Sequence, residues 1–447
     1  VSLTLVYLTY AASVLASGLP LLHILARGRL RTYFAYFVFE AGFFVLNVVG
    51  SISPNILRNV STTQFHVLLL LNSLAMLGVY LLLTSLAVSW TRDGKIRPLV
   101  APPARDAGVY RVFVRSIFLL ACAMALFFYV AVAPPVILRV DLFGQWSALI
   151  EQRMAVVYGG HFQWFALGFF EIPAVAVLMT ATMAALYRHA GDEVEAARWR
   201  RTLRWILPPS VFMAVGFLHI IVVVYLFAGV GMVAVFFRGR LPVRLVGRYG
   251  GPAMVAIFLL YFAKKGFQLS GAFLADVSAT VLHRVVEVYP WAAATTMYLF
   301  PERQPFLHGA SMINLFGMFH YQQVDLASLI YPYIYNDVTG GAPVPAAFES
   351  WANFGWLGAL LTIAIICVLA VVVTLLSWTR SPFAFSISVY LTLKSLLLWQ
   401  AALWFGMLEP TVLVLIAVSS ACFWVVRASR GGAAHAPVAT VPRAIRA

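Results

Sequence analysis

The sequence predicts an all-α protein, a polytopic membrane bundle of about 11 transmembrane helices, on the strength of its composition and of one recurring pattern. Of its 447 residues 62% are hydrophobic and 11% charged, whereas soluble domains carry about 25% charged residues. Mean hydropathy is +0.89. Apolar runs of about 20 residues recur between arginine-bearing or Gly/Pro turns, and in lipid such runs satisfy their backbone groups only as helices. Residues 1–430 read as a single transmembrane domain containing a long extracytoplasmic loop with amphipathic helices, residues 264–351. Residues 431–447, rich in Ala and Pro, read as a disordered cytoplasmic tail.

The spans follow in order. The first runs from about Leu3 to Leu25 and reads as a retained span, because no basic segment precedes it and no small-residue cleavage site follows. It ends at Arg27, Arg29 and Arg31. The second covers about Tyr33 to Ile52, the third Phe65 to Trp90, and the fourth, after a basic Pro-rich connector, Ser116 to Leu138. The fifth covers Phe162 to Tyr187. The apolar stretch from Trp205 to Phe237 lies between two basic runs, so a hairpin hinged near Phe227 to Gly231 keeps both runs on one face. Further spans are expected over about Pro252 to Phe267, Trp351 to Leu376, Phe383 to Phe405 and Thr411 to Val426.

Charge sets the orientation and excludes other classes. The net charge of +15 does not point to nucleic acid, because the basic residues sit in short loops between spans. Assigning the loops at 26–32, 91–115, 188–204, 238–248 and 378–382 and the tail to the cytoplasm places 23 of the 31 Lys and Arg inside. Arg58, Arg139, Arg153, Lys264, Lys265, Arg284 and Arg303 lie outside, and Lys394 lies within a span. Such asymmetry predicts an outward N-terminus, an inward C-terminus and an outward long loop. Cys122, Cys367 and Cys422 all fall in apolar runs, which excludes a disulfide framework or a CxxC metal site. Glu40, Glu171 and Lys394, ionisable within spans, are expected to pair.

The long loop gathers most of the remaining chemistry: Asp276, His283, Arg284, Glu287, Glu302, Arg303, His308, His320, Asp325, Asp337 and Glu349. In GAFLADVSATVLHRVVEVYPW, helical spacing puts Asp276, Thr280, His283 and Glu287 on one face and an apolar stripe on the other, with Arg284 on the seam. A helix lying on the membrane surface would hold that guanidinium at headgroup depth, where its fork suits phosphate oxygens; a snorkelling arginine is the competing reading. Arg153 is the second outward arginine near the membrane, and a salt bridge to Glu151 or Glu171 competes with a ligand role. His308 follows a proline turn and precedes Gly309, where backbone can approach a ligand, although a surface histidine reads the same way. His283, His308 and His320 show no metal-ligand spacing, so no metal or cofactor is expected. Glu349 falls in the first turn of the span after Pro345, at the membrane surface, with Asn353 one turn on and Gly355 and Gly358 allowing close approach of a neighbour. It serves either as a general base for a sugar hydroxyl or as an acid favoured by the helix dipole. Tyr289, Tyr298, Tyr333 and Trp351 either stack on sugar rings or belong to an interfacial belt.

The order of these features resembles the bacterial Wzy-type oligosaccharide repeat-unit polymerases of O-antigen, capsule and exopolysaccharide synthesis. The resemblance is carried by Arg153 before the fifth span, by HRVVEVYPWAAATTMYLFP, by LHGASMINLFG and by FESWANFGWLGALL; the Gly/Arg turn after the family's fifth span is matched only loosely, by FFRGR. It implies a GT-C-like helical glycosyltransferase of the inner membrane. Such an enzyme moves a glycan from undecaprenyl pyrophosphate to the sugar hydroxyl of another lipid-linked unit, with inversion and without a metal. On that resemblance Arg153 and Arg284 grip the pyrophosphate, Glu349 or His308 activates the acceptor, and Tyr289, Tyr298, Tyr333 and Trp351 line the glycan path. Its partners would be lipid-linked oligosaccharides, membrane lipid and a chain-length co-polymerase. An O-antigen ligase, which uses lipid A core as acceptor, a lipid-linked sugar flippase or proton-coupled transporter, and a nonenzymatic assembly subunit are the alternatives.

Overall fold

The computed structural model describes residues 3–57, 62–92, 99–131, 148, 161–216, 220–239, 247, 251, 255, 258, 273–312, 324–335, 341–400 and 410–431. All regular structure among them is helical. In order the helices are α1 (Leu3–Ala26), α2 (Phe34–Phe43), α3 (Thr62–Arg92), α4 (Ala104–Ala131), α5 (His161–His189), α6 (Glu193–Gly216), α7 (Ile220–Arg238), α8 (Phe273–His283), α9 (Tyr289–Leu299), α10 (Leu326–Tyr335), α11 (Ala346–Ser377), α12 (Pro382–Ser395) and α13 (Pro410–Gly431). A π turn (Phe44–Val48) and a 3-10 turn (Val49–Ile52) extend α2, and a π turn (Arg284–Val288) joins α8 to α9.

Six stretches of described helix are long and apolar enough to cross a membrane: Leu3–Ala26, Phe34–Ile52, Thr62–Thr91, Asp106–Ala131, Ala346–Ser377 and Pro382–Trp399. The chain is therefore a membrane-embedded helical protein. These six fall on the first four expected spans and on the two that follow the long loop. The expected span at 252–267 lies mostly outside the described residues. Inside the bundle, hydroxyls that lipid cannot satisfy turn back on their own helices. Ser13 donates to the Thr9 carbonyl at 2.8 Å, Thr180 to Ala176 at 2.7 Å and Thr392 to Ser388 at 2.7 Å, as expected where water is excluded.

The stretch from 205 to 237 is not hinged where the sequence suggested. Helix α6 runs from the basic segment into the apolar one and ends at Gly216, and α7 runs unbroken from Ile220 through Phe227 and Gly231 to Arg238, while residues 217–219 lie outside the described residues. Gly229 is a packing residue: a Cβ there would come within 2.4 Å of the Leu178 side chain. Beyond Arg204 about a dozen residues of α6 remain, roughly 18 Å of helix, too short for a hydrocarbon core of about 30 Å.

Arg31 ties the α1–α2 turn to the last carbonyls of α7, Phe236 at 2.9 Å and Phe237. The Trp378 indole donates to Thr32, and the Tyr187 hydroxyl donates to the Pro102 carbonyl at 2.7 Å. These contacts gather the turns near 26–32, 99–103, 188–193, 238 and 377–382 at one basic end, as the charge count requires of loops that share a face. Glu195, at that end, is bound by Arg111 and by Arg198 at 2.6 Å. Partial burial raises its pKa, but the two guanidiniums outweigh burial and hold it below the usual carboxylate range. The Pro54–Leu57 turn, α8 to α11 and Gln400 form the opposite end.

Candidate functional site

The site at that opposite end is built on a broken helix. Pro345 caps α11, as the sequence suggests, and Glu349 sits in its first turn. Six residues on, Gly355 takes φ +61° and ψ −144°, outside helical space. A side chain there would be strained by its backbone, and the Phe306 ring lies 3.0 Å from where its Cβ would be. Beside the break a separate segment bonds to the helix carbonyls: Leu307 N–H donates to Ala352 at 2.9 Å and His308 N–H to Asn353 at 3.1 Å. Gly358 does not admit a neighbouring helix, as expected from sequence. It makes room for the Ser350 carbonyl of its own helix, which a Cβ would meet at 2.4 Å.

Side chains complete the joint. Asn353 Oδ1 accepts from Gly309 N–H at 2.9 Å, while its amide nitrogen donates to the Ser311 hydroxyl at 2.7 Å and to the Glu349 carbonyl at 2.9 Å. Ser311 in turn donates to Glu349 Oε1 at 3.0 Å. Glu349 is 4% exposed, so it lies inside the protein and not at the open membrane surface that its position in the sequence suggested. Its Oε2 is buried without a hydrogen-bond partner among the described residues. Burying a carboxylate oxygen without a partner is costly, which marks the position as one held by its surroundings. His308 takes φ 47°, its backbone docked on α11 and its side chain exposed. The turn from Leu307 to Ser311 thus presents an imidazole outward and a hydroxyl inward to the carboxylate.

A second polar joint lies at the same end. The π turn at Arg284–Val288 packs so close to Gly50 that a Cβ there would strike the Val286 carbonyl. Glu287, on that turn, accepts from Asn55 at 2.8 Å and pairs with His283 at 2.7 Å. Partial desolvation raises its pKa, but the hydrogen bonds from His283 and Asn55 outweigh it and hold the carboxyl below its ordinary value. His283 and Glu287 therefore share a face as the periodicity requires. Beyond that segment α9 continues to Leu299 and is buried along most of its length, its Ala and Thr residues allowing close packing, whereas Ala275, Ser278, Ala279 and Leu282 of α8 are exposed and Val277 is buried.

The other expected site residues separate. Tyr289 is buried and donates to Gln400 at 3.2 Å, and Trp351 is buried with its indole donating to Phe300 at 3.0 Å. Both rings are committed to packing, whereas Tyr298 is covered on one face by Arg303 at 4.3 Å and Tyr333 is exposed. Asp325 begins α10, where its carboxylate accepts from Ala327 N–H at 3.1 Å. Arg284 belongs to the π turn, but its side chain, like Arg153, His320 and Asp337, lies outside the described residues. Among described residues no three His, Cys, Asp or Glu side chains converge in a way that would hold a metal ion. Ser311 and Asn55 are the contributors that sequence reasoning missed. The signal for Ser311 was a small polar residue one turn after His308; for Asn55 it was an amide in a Ser-Pro-Asn turn opposite the long loop.

Within the spans, Glu171 and Lys394 pair at 2.8 Å, and Tyr390 donates to the second oxygen of Glu171. Glu40 does not join them. It is fully buried, its polar neighbour is the Ser17 hydroxyl, and among the described residues no basic side chain forms a salt bridge with it. Compared with protein-family models, curated proteins and solved structures, the chain matches none. Fold and site together define a helical membrane protein with a buried acid held at a helix break.

Proposed function

We propose that the chain is a metal-independent glycosyltransferase of the bacterial inner membrane, polymerising undecaprenyl-pyrophosphate-linked repeat units on the extracytoplasmic face. The observation that carries the reading is the docking of the LHGAS turn on the FESWANFG segment. Two stretches that bear the resemblance, far apart in sequence, meet through Ser311 and Asn353 around Glu349. In the proposed step the acceptor hydroxyl oxygen bonds to the donor's anomeric carbon. The bond from that carbon to the pyrophosphate oxygen breaks with its electrons leaving on the pyrophosphate, and the hydroxyl proton passes to the Glu349 carboxylate. Arg153 and Arg284 would stabilise charge growing on the leaving group. With Glu349 4% exposed, the acceptor reaches it only when the Ser311 turn shifts.

The test uses purified protein and lipid-linked repeat units, read as a ladder of chain lengths. Glu349→Gln keeps shape and loses basicity, and should lower turnover by about 10²–10⁴. A chelator should leave the ladder unchanged. Wild-type turnover in Glu349→Gln together with loss in His308→Ala transfers the role to His308. A ligase would use the same chemistry and extend only a different acceptor. A proton-coupled flippase is favoured by one observation, Glu40 buried inside a span without a counter-charge among the described residues. In that case Glu40→Gln stops flipping of lipid-linked sugar, while Arg284→Ala leaves it intact.

A further inference from the structure

At the basic end, a cavity of about 500 Å³ opens between the ends of α5, α6 and α7. Arg188, Arg200, Arg204 and Arg238 line it, with His189 beside them. Small apolar side chains, Ala181, Ala184 and Ala185 of α5 and Val230, Val233 and Ala234 of α7, form the rest of one side. Among the described residues, the carboxylate facing these arginines is Glu193, 3.1 Å from Arg200 and 3.8 Å from Arg188. The other nearby acids are engaged elsewhere: Glu195 by Arg111 and Arg198, Asp192 by the Glu195 N–H at 3.0 Å. No described carboxylate pairs with Arg204 or Arg238. The cavity therefore carries a surplus of positive charge beside small apolar side chains of α5 and α7.

Topology alone explains basic residues in a loop. It does not explain why arginines from three helices, spread over about 50 positions of sequence, line one cavity together with small apolar side chains of α5 and α7. A soluble anion would gain nothing from those side chains, whereas an amphiphile uses both parts. Guanidinium forks take phosphate oxygens in pairs, and basic pockets between membrane helices suit anionic headgroups. We infer that this cavity binds the phosphate headgroup of an anionic membrane phospholipid, its acyl chains lying along the Ala and Val wall. The inference is independent of the reaction proposed for the opposite end.

The test counts bound lipid by native mass spectrometry on protein purified in a neutral detergent, titrated with cardiolipin or phosphatidylglycerol and with phosphatidylcholine as the neutral control. One anionic lipid should be retained in preference to phosphatidylcholine. The double variant Arg204→Gln/Arg238→Gln should weaken that binding by about tenfold or more. Arg27→Gln/Arg29→Gln removes the same charge from the α1–α2 turn and should leave it within about twofold. Ala185→Leu should weaken it with no change of charge, by filling the wall. Equal losses in the two double variants would reduce the effect to general surface charge and overturn the inference. So would retention of lipid in Arg204→Gln/Arg238→Gln, or displacement by millimolar inorganic phosphate, which marks a soluble-anion site.

Discussion

Glu171 and Glu349 are both buried carboxylates on membrane-bundle helices, and they are treated in opposite ways. Glu171 has an ammonium on one oxygen and a phenol on the other, inside the bundle. Glu349 has a single serine hydroxyl on one oxygen and nothing on the other among the described residues, at a helix break closed by a loop segment. A fully paired acid holds helices in register, while an acid with an unclaimed oxygen keeps a lone pair available at a cost in stability. The comparison fits Glu171 to a structural role, and it is the ground on which chemistry at Glu349 is proposed.

The largest expected effect tests the structural side. Lys394→Ala leaves Glu171 buried without its counter-charge and should cost about 3–5 kcal/mol, read as a fall in thermal midpoint of the purified protein. A midpoint unchanged from wild type would mean that the pair holds nothing together. On the other side, Ser311→Ala removes the hydroxyl between Asn353 and Glu349 and should cost about 1.5–3 kcal/mol, with turnover falling further than stability; equal falls in both would make Ser311 a fastener only. Gly355→Ala forces a side chain into a positive-φ backbone conformation that glycine alone adopts freely, against Phe306, and should cost about 1–3 kcal/mol. If the variant is as stable as wild type, the break does not depend on that glycine.

Glu287 supplies the smallest effect and a third case, a partly exposed carboxylate paired with His283 and Asn55. Its folded-state pKa is lowered, so its contribution is fully present above the unfolded value of about 4.3 and is lost as pH falls through the lower folded value. Thermal midpoints between pH 7 and pH 3 should therefore fall less steeply at the acid end for Glu287→Gln than for wild type. Parallel curves would remove that pair from the stability of the fold.

Much of this was legible in the chain. The apolar runs located six helices long enough to span, and Pro345 marked the start of α11, because those signals are local. The co-facial basic loops were legible from charge counting, and Arg31 on the α7 carbonyls is their physical counterpart. The hinge in 205–237 was misplaced, because a glycine that packs against Leu178 reads the same as a glycine that turns. Pairing among Glu40, Glu171 and Lys394 was half legible: composition says that buried charge needs partners, but only the fold decides which acid the lysine reaches. The depth of Glu349 and the docking of Ser311 on it were not legible. Both depend on a non-helical φ at Gly355, whose effect is to bring a segment about 40 residues away onto the broken turn.

The most direct test sets Glu171→Gln beside Glu349→Gln in the same preparation, measuring thermal midpoint and turnover of lipid-linked repeat units for each. The account predicts that Glu171→Gln, which strands the Lys394 charge, loses stability. It predicts that Glu349→Gln keeps or raises the midpoint and loses turnover by about 10²–10⁴. A Glu349→Gln protein that melts early yet turns over at the wild-type rate would contradict it, and would make Glu349 another structural acid.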